Sequence, residues 1–179
     1  MPIQPSREWS TAVDAVASAI ASGRLGAGEL AELRRLSPED PAPPAFWHAL
    51  IRLVEPRDPG PDSADRRQAW EHQWAVILSG MAILDHRPDT SFGQALADNG
   101  YAEPRLRRLL RARGTRLWDE VRLGVRFLAA KGAAIRWQDC AGLVLADPET
   151  QPSWAEQVRR HIARDYFRVL YHREKGDQT

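Results

Sequence analysis

Apolar residues recur every three to four positions along most of this chain, the period of helices that bury one face. Trp9, Val13, Val16 and Ile20 share a face of a helix predicted over Trp9 to Ser22, which stops at Gly23. A short helix is predicted over Gly28 to Leu36, and another over Ala45 to Val54 with Phe46, Leu50, Leu53 and Val54 on one side. Trp70, Trp74, Ile77, Leu78 and Met81 line a longer helix over Ala64 to Leu84. Ser91 to Asn99 ends at Gly100, Glu103 to Arg113 at Gly114, and Thr115 to Ala130 at Gly132, each glycine being a helix-stop signal. Trp137 to Leu145 is short and apolar and reads as a helix, with a strand as the alternative. Ser153 to Tyr171 opens on Ser153 and Glu156, the spacing of a capping box. Trp154, Val158, Ile162 and Val169 are expected to face inward there. Alternating strand patterns are essentially absent, so the fold class is all-α.

Proline sets the breaks. Seven of the 13 prolines fall between Pro38 and Pro61, in one cluster from Ser37 to Pro44 and another from Glu55 to Asp62. Proline lacks the donor a helix interior needs and restricts the residue before it. Residues 55–65 are therefore expected to form an exposed Pro-rich loop, and 172–179 a disordered tail. A length of 179 residues suits a single all-helical domain spanning 1–179. The seven Trp supply bulk for its core, and Trp74→Ala or Leu109→Ala is expected to cost ~2–5 kcal/mol.

Charge changes this picture. Between Arg105 and Arg136 stand nine Arg and Lys131 against only Asp119 and Glu120, a net +8 in a chain whose total is +1. The remainder is acidic, so positive charge is concentrated where it can meet an anion, most commonly phosphate. In the helix from Glu103, Leu106, Leu109 and Leu110 cluster, and Arg108 and Arg111 lie opposite with Arg105 and Arg107 flanking. In the next helix Leu117, Val121, Gly124 and Leu128 form the apolar stripe, and the polar arc carries Asp119, Arg122 and Arg126. Asp119 with Arg122 and Glu156 with Arg160 are spaced as local pairs. Arg160, Arg164 and Arg168 make a second basic face on the last helix, beside Phe167 and Tyr171. Solvated charged faces need no ligand, and that reading stands beside the phosphate-directed one. Of 25 basic residues only Lys131 and Lys175 are lysine, and the guanidinium fork suits phosphate.

Catalytic chemistry is hard to find. No two of His48, His72, His86, His161 and His172 have metal-ligand spacing, and with a lone Cys140 a zinc site is not expected. Cys140 excludes an intrachain disulfide, fits a reducing cytoplasm and is expected to pack as a small hydrophobe. Gly23, Gly26 and Gly28 follow a helix rather than a strand, the wrong context for a dinucleotide loop. No apolar run approaches the ~18 residues of a membrane span, and no secretion leader is expected.

The block SFGQALADNGYAEPRLRRLLRARG, starting at Ser91 and followed by VRFLAAKG, is familiar in combination. With FWHALIRL (Phe46 to Leu53), WAVILSGMAIL (Trp74 to Leu84) and WAEQVRRHIARDYFR (Trp154 to Arg168), it resembles the small subunit of the type I-E CRISPR Cascade complex, the CasB family. The resemblance covers about Ala27 to Tyr171, and the order of its parts carries it. It implies a compact all-α subunit of two packed helical halves, without catalysis or cofactor. It implies as partners the CasC backbone, the CasA large subunit, a second copy, guide RNA and target DNA. The basic surface would hold the displaced non-target strand, and such a contact tolerates any sequence because base pairing supplies specificity. Carried onto this chain, the nucleic-acid-binding set is Arg105, Arg108, Arg111, Arg122 and Arg126, then Arg107, Arg116 and Lys131.

Two other classes compete. Phe92 to Asn99, Gly100 and Glu103 to Arg113 can be read as a helix-turn-helix of a sequence-specific DNA-binding regulator. That recognition helix lacks the Asn or Gln that reads adenine. A scaffold whose arginines meet only proteins is the third class.

Overall fold

The computed structural model describes residues 8–37, 43–146 and 149–176. The core of the first proline cluster and the last residues of the expected tail lie outside these. Every predicted helix is present. The chain divides into two compact units, Met1–Ile83 and Leu84–Thr179.

The first unit contains α1 (Glu8–Ala21), α2 (Ala27–Arg34), α3 (Pro44–Ala49) and α4 (Ala64–Met81). Pro44 opens α3, where its missing donor costs nothing, and the helix continues as a π-helical turn over Leu50–Val54. Val13, Val16, Leu33, Phe46, Leu50, Val54, Trp74, Ile77 and Leu78 fill the core. The C-terminal half of α4, from Trp74 to Met81, is buried all round, more than the one face the pattern predicts. The Pro-rich loop is tied down: the Asp58 carboxylate accepts both indole N–H groups, from Trp70 at 2.9 Å and Trp74 at 3.1 Å. Arg67 donates to the Pro59 carbonyl at 2.8 Å. Asp58→Ala strands two buried donors and is expected to cost about 2–4 kcal/mol, read in a denaturant titration, with Asp58→Asn costing less.

The second unit contains α5 (Phe92–Asp98), α6 (Glu103–Arg111), α7 (Gly114–Ala130), α8 (Trp137–Leu145) and α9 (Pro152–Gly176). Two strands, β1 (Asp85–His86) and β2 (Ala134–Ile135), pair in parallel. A two-residue strand is too short to show alternation, which is why the sequence pattern misses it. Ser91 caps α5 by accepting from Gln94 N at 3.2 Å, and Asp139 accepts from Phe92 N at 3.0 Å. Gly100, at φ +76°, ends α5, with Tyr101 N donating to Leu96 O at 2.9 Å.

Helix α9 lies against α5 so closely that a Cβ on Gly93 would sit 2.1 Å from the Ile162 carbonyl oxygen. This approach sets the rotation of α9. Its buried face is Ala155, Arg159, Ile162 and Tyr166, whereas Trp154, Val158 and Val169 are only half-buried. The expected inward stripe is thus corrected: the line of nearest approach runs through Ile162, and Tyr166 Oη locks it by donating to Tyr101 O at 2.5 Å. α9 also runs past Tyr171 to Gly176, replacing the first part of the expected tail. Arg173 holds it there by donating to Ala97 O at 3.0 Å and Asp98 Oδ1 at 3.0 Å.

Candidate nucleic-acid interface

The basic segment folds into α6, α7 and the turns around them. Leu106 and Leu109 of α6 are fully buried, and Leu117, Val121, Gly124, Val125 and Leu128 of α7 are buried. With these faces committed inward, Arg105, Arg107, Arg108, Arg111, Arg116, Arg126 and Lys131 are exposed and Arg122 is half-exposed. Leu123 is 51% exposed beside Arg122, an apolar position left in solvent.

These cations are not equivalent. Arg107 pairs with Glu103 one turn away on α6. Arg108 Nε lies 2.6 Å from Oε1 of Glu120, a buried carboxylate on α7, so this pair stitches the two helices together. Arg136 folds onto Asp139 at 3.1 Å and reaches His161 Nε2 at 3.0 Å. Among the described residues no carboxylate lies in ion-pair range of Arg105, Arg111, Arg116, Arg122 or Arg126. The Asp119–Arg122 pair expected from spacing does not form. Asp119 is exposed, and it is the neighbouring Glu120 that turns inward.

Aromatic rings back one end of this face. Tyr101 packs edge-on to Phe127 at 5.1 Å, and Lys131 Nζ stands 6.0 Å from the Phe127 ring centre. Burial raises the Tyr101 phenol pKa, Glu120 raises it further, and Arg108 and Arg105 oppose both. Lys131 thus stands over one ring of this aromatic pair. On α9, Arg160 pairs with Glu156 at 3.0 Å, as the spacing predicts. Arg164 and Arg168 are exposed with no carboxylate in range among the described residues, beside Phe167 (44% exposed) and Tyr171 (53%).

Because Glu120 Oε2 already lacks a hydrogen-bond partner, removing Arg108 leaves a buried carboxylate uncompensated. Arg108→Ala is expected to destabilise by about 1–2 kcal/mol, moderated because Arg108 itself is exposed. A double-mutant cycle with Glu120→Gln checks it, the double variant recovering most of the loss.

Two further arginines of the second unit lie outside that set. Arg113 sits at the N-cap of α7, and Arg159 is buried. The charge of Arg159 at a position of the inward face is a signal that only the true rotation of α9 exposes. Cys140 is fully buried, and its thiol is pushed up by desolvation and by Asp139, so it packs as an apolar residue. Among the described residues no group of three or more His, Cys, Asp or Glu is arranged to hold a metal, and no helix is long and apolar enough to cross a membrane.

The class these features define is an all-α protein with a strongly basic helix pair. The family model described as CRISPR-associated protein Cse2 matches residues 29–167, and the chain belongs to that family, the small subunits of the type I-E CRISPR Cascade complex. No curated protein and no solved structure matches the chain. The protein is thereby a member of a multi-subunit CRISPR complex.

Proposed function

We propose that this chain is a non-catalytic subunit that stabilises guide RNA and target DNA in the complex and holds the displaced non-target strand. The observation that carries the reading is the set Arg105, Arg111, Arg116, Arg122 and Arg126, exposed or half-exposed on α6 and α7 without a carboxylate partner among the described residues. Such cations bind backbone phosphate without reading bases, which suits a subunit that must accept any target. Arg107, Arg108 and Lys131 complete the set, Arg107 and Arg108 at reduced weight because each already holds a glutamate. Arg164 and Arg168, with Arg160, extend it on α9. The partners are the CasC backbone, the CasA large subunit, a second copy of this chain, guide RNA and target DNA, in the cytoplasm.

Co-expression of the tagged chain with the other Cascade subunits and a guide RNA tests this reading. Elution of one large assembly containing the RNA is the expected result. Elution of the chain alone, with preference for one duplex sequence, overturns it in favour of a regulator.

A further inference from the structure

Helix α9 carries one exposed face on which aromatic rings and cations alternate. At about 100° per residue, Arg160, Arg164, Phe167, Arg168, Tyr171 and Lys175 fall within about 100° of arc. All six are exposed, and the buried line through Ala155, Arg159, Ile162 and Tyr166 runs along the other side of the helix. Phe167 is 44% and Tyr171 53% exposed, two of the five large apolar side chains left in solvent among the described residues. One exposed ring is ordinary, but two rings a single turn apart, interleaved with cations, form a surface.

Charge selects what that surface fits. Of the three acids of α9, Glu156 is engaged by Arg160 at 3.0 Å and Asp165 by His161 at 3.4 Å. Arg164 and Arg168 meet no carboxylate among the described residues. Lys175 Nζ stands 4.8 Å from the Tyr171 ring centre, and Phe167 meets Tyr166 edge-on at 5.3 Å. Each ring is braced from its own helix and keeps area in solvent for a ligand. An apolar partner would have to bury the guanidiniums along with the rings, at a desolvation cost. A polyanion that carries planar apolar groups meets rings and cations together, and nucleic acid has that chemistry. Spacing then selects the single strand. Phe167 and Tyr171 are four residues apart, a rise of about 6 Å, nearly twice the ~3.4 Å step of a strand in a duplex. Neighbouring bases reach both rings only from an extended strand, and a duplex hides the base faces.

We propose that Phe167 and Tyr171 form a stacking pair for two bases of single-stranded nucleic acid, with the intervening phosphates on Arg164 and Arg168. The single-stranded ligand rests on the functional reading above. Every base has a π-face, so the pair adds retention without sequence preference.

The test is fluorescence anisotropy of the full chain at low salt with two labelled strands of equal length, an oligothymidylate and an abasic strand. The wild-type chain is expected to bind the oligothymidylate tighter by on the order of ten-fold. Phe167→Leu and Tyr171→Leu each reduce that preference and together abolish it. The salt dependence stays unchanged in these variants because no phosphate contact is lost. Tyr171→Phe keeps the preference, and the exposed positions leave the melting midpoint where it was. Arg164→Ala with Arg168→Ala acts in the opposite way: both strands weaken alike and the log–log salt slope flattens by about 0.7 for each lost contact. Changing Arg105, Arg111, Arg122 and Arg126 to Ala leaves the preference intact, so failure of the α6–α7 face and failure of this pair are read separately. Equal binding of the two strands by the wild-type chain, no binding of either, or a preference that survives in the double leucine variant overturns the stacking pair. A double leucine variant that keeps the preference but drops out of the co-expressed assembly assigns the face to a protein partner instead.

Discussion

Gly93→Ala is expected to lower stability by about 3 kcal/mol or more, at the upper end of what overpacking costs. The new methyl would stand 2.1 Å from the Ile162 carbonyl oxygen, a backbone atom that no rotamer change can move. Relief requires α5 and α9 to separate, and their separation loosens the Tyr166–Tyr101 and Arg173–Asp98 bonds that fix α9. In a chain of this size the melting midpoint should fall by on the order of 6–12 °C. Gly124→Ala is the control: its Cβ would meet Phe92 at 3.4 Å, ordinary contact, in a helix interior where alanine is favoured over glycine. An unchanged midpoint for Gly93→Ala would show that the close crossing of α5 and α9 does not exist.

The second large effect concerns binding. Replacing Arg105, Arg111, Arg122 and Arg126 by Ala is expected to leave the melting midpoint within a degree or two, because none of the four holds a carboxylate among the described residues. Target-DNA affinity of the assembled complex should fall. The dependence of log affinity on log salt should flatten by about 0.7 for each lost single-strand phosphate contact. Arg108 is left out because its pairing with Glu120 would mix a folding loss into the binding loss. Undiminished affinity with an unchanged salt slope would show that the arginine face does not hold nucleic acid.

Much of the fold is legible in the sequence for a simple reason. Four helices, α3, α4, α5 and α9, open at serine or proline, α1, α5 and α7 run into Gly23, Gly100 and Gly132, and the apolar stripes point to local faces, so pattern alone locates α1 to α9 to within a few residues, although Gly114, expected to close α6, instead opens α7. Legibility ends where a contact depends on an element distant in the chain. The inward face of α9 is set by Gly93, 69 residues before Ile162, and the pattern of α9 alone misplaces it by part of a turn. Asp58 reads as one more polar residue in a proline loop, and only the fold aims it at Trp70 and Trp74. For the candidate interface, the sequence locates the cations but not their engagements. Asp119 is spaced to pair with Arg122, yet it is Glu120 that takes part, crossing to Arg108, and Arg159, next in the chain to Arg160, is buried. Electrostatic pairing across helices is a property of packing, which periodicity does not encode.

The arginine face of α6 and α7 is proposed to hold the displaced strand. Single-strand-specific nuclease cleavage of that strand, in the complex assembled on target DNA, tests it most directly. Protection is expected with the wild-type chain, and cleavage at the same positions when Arg105, Arg111, Arg122 and Arg126 are alanine. Equal protection by both chains, with the variant fully incorporated, would contradict it.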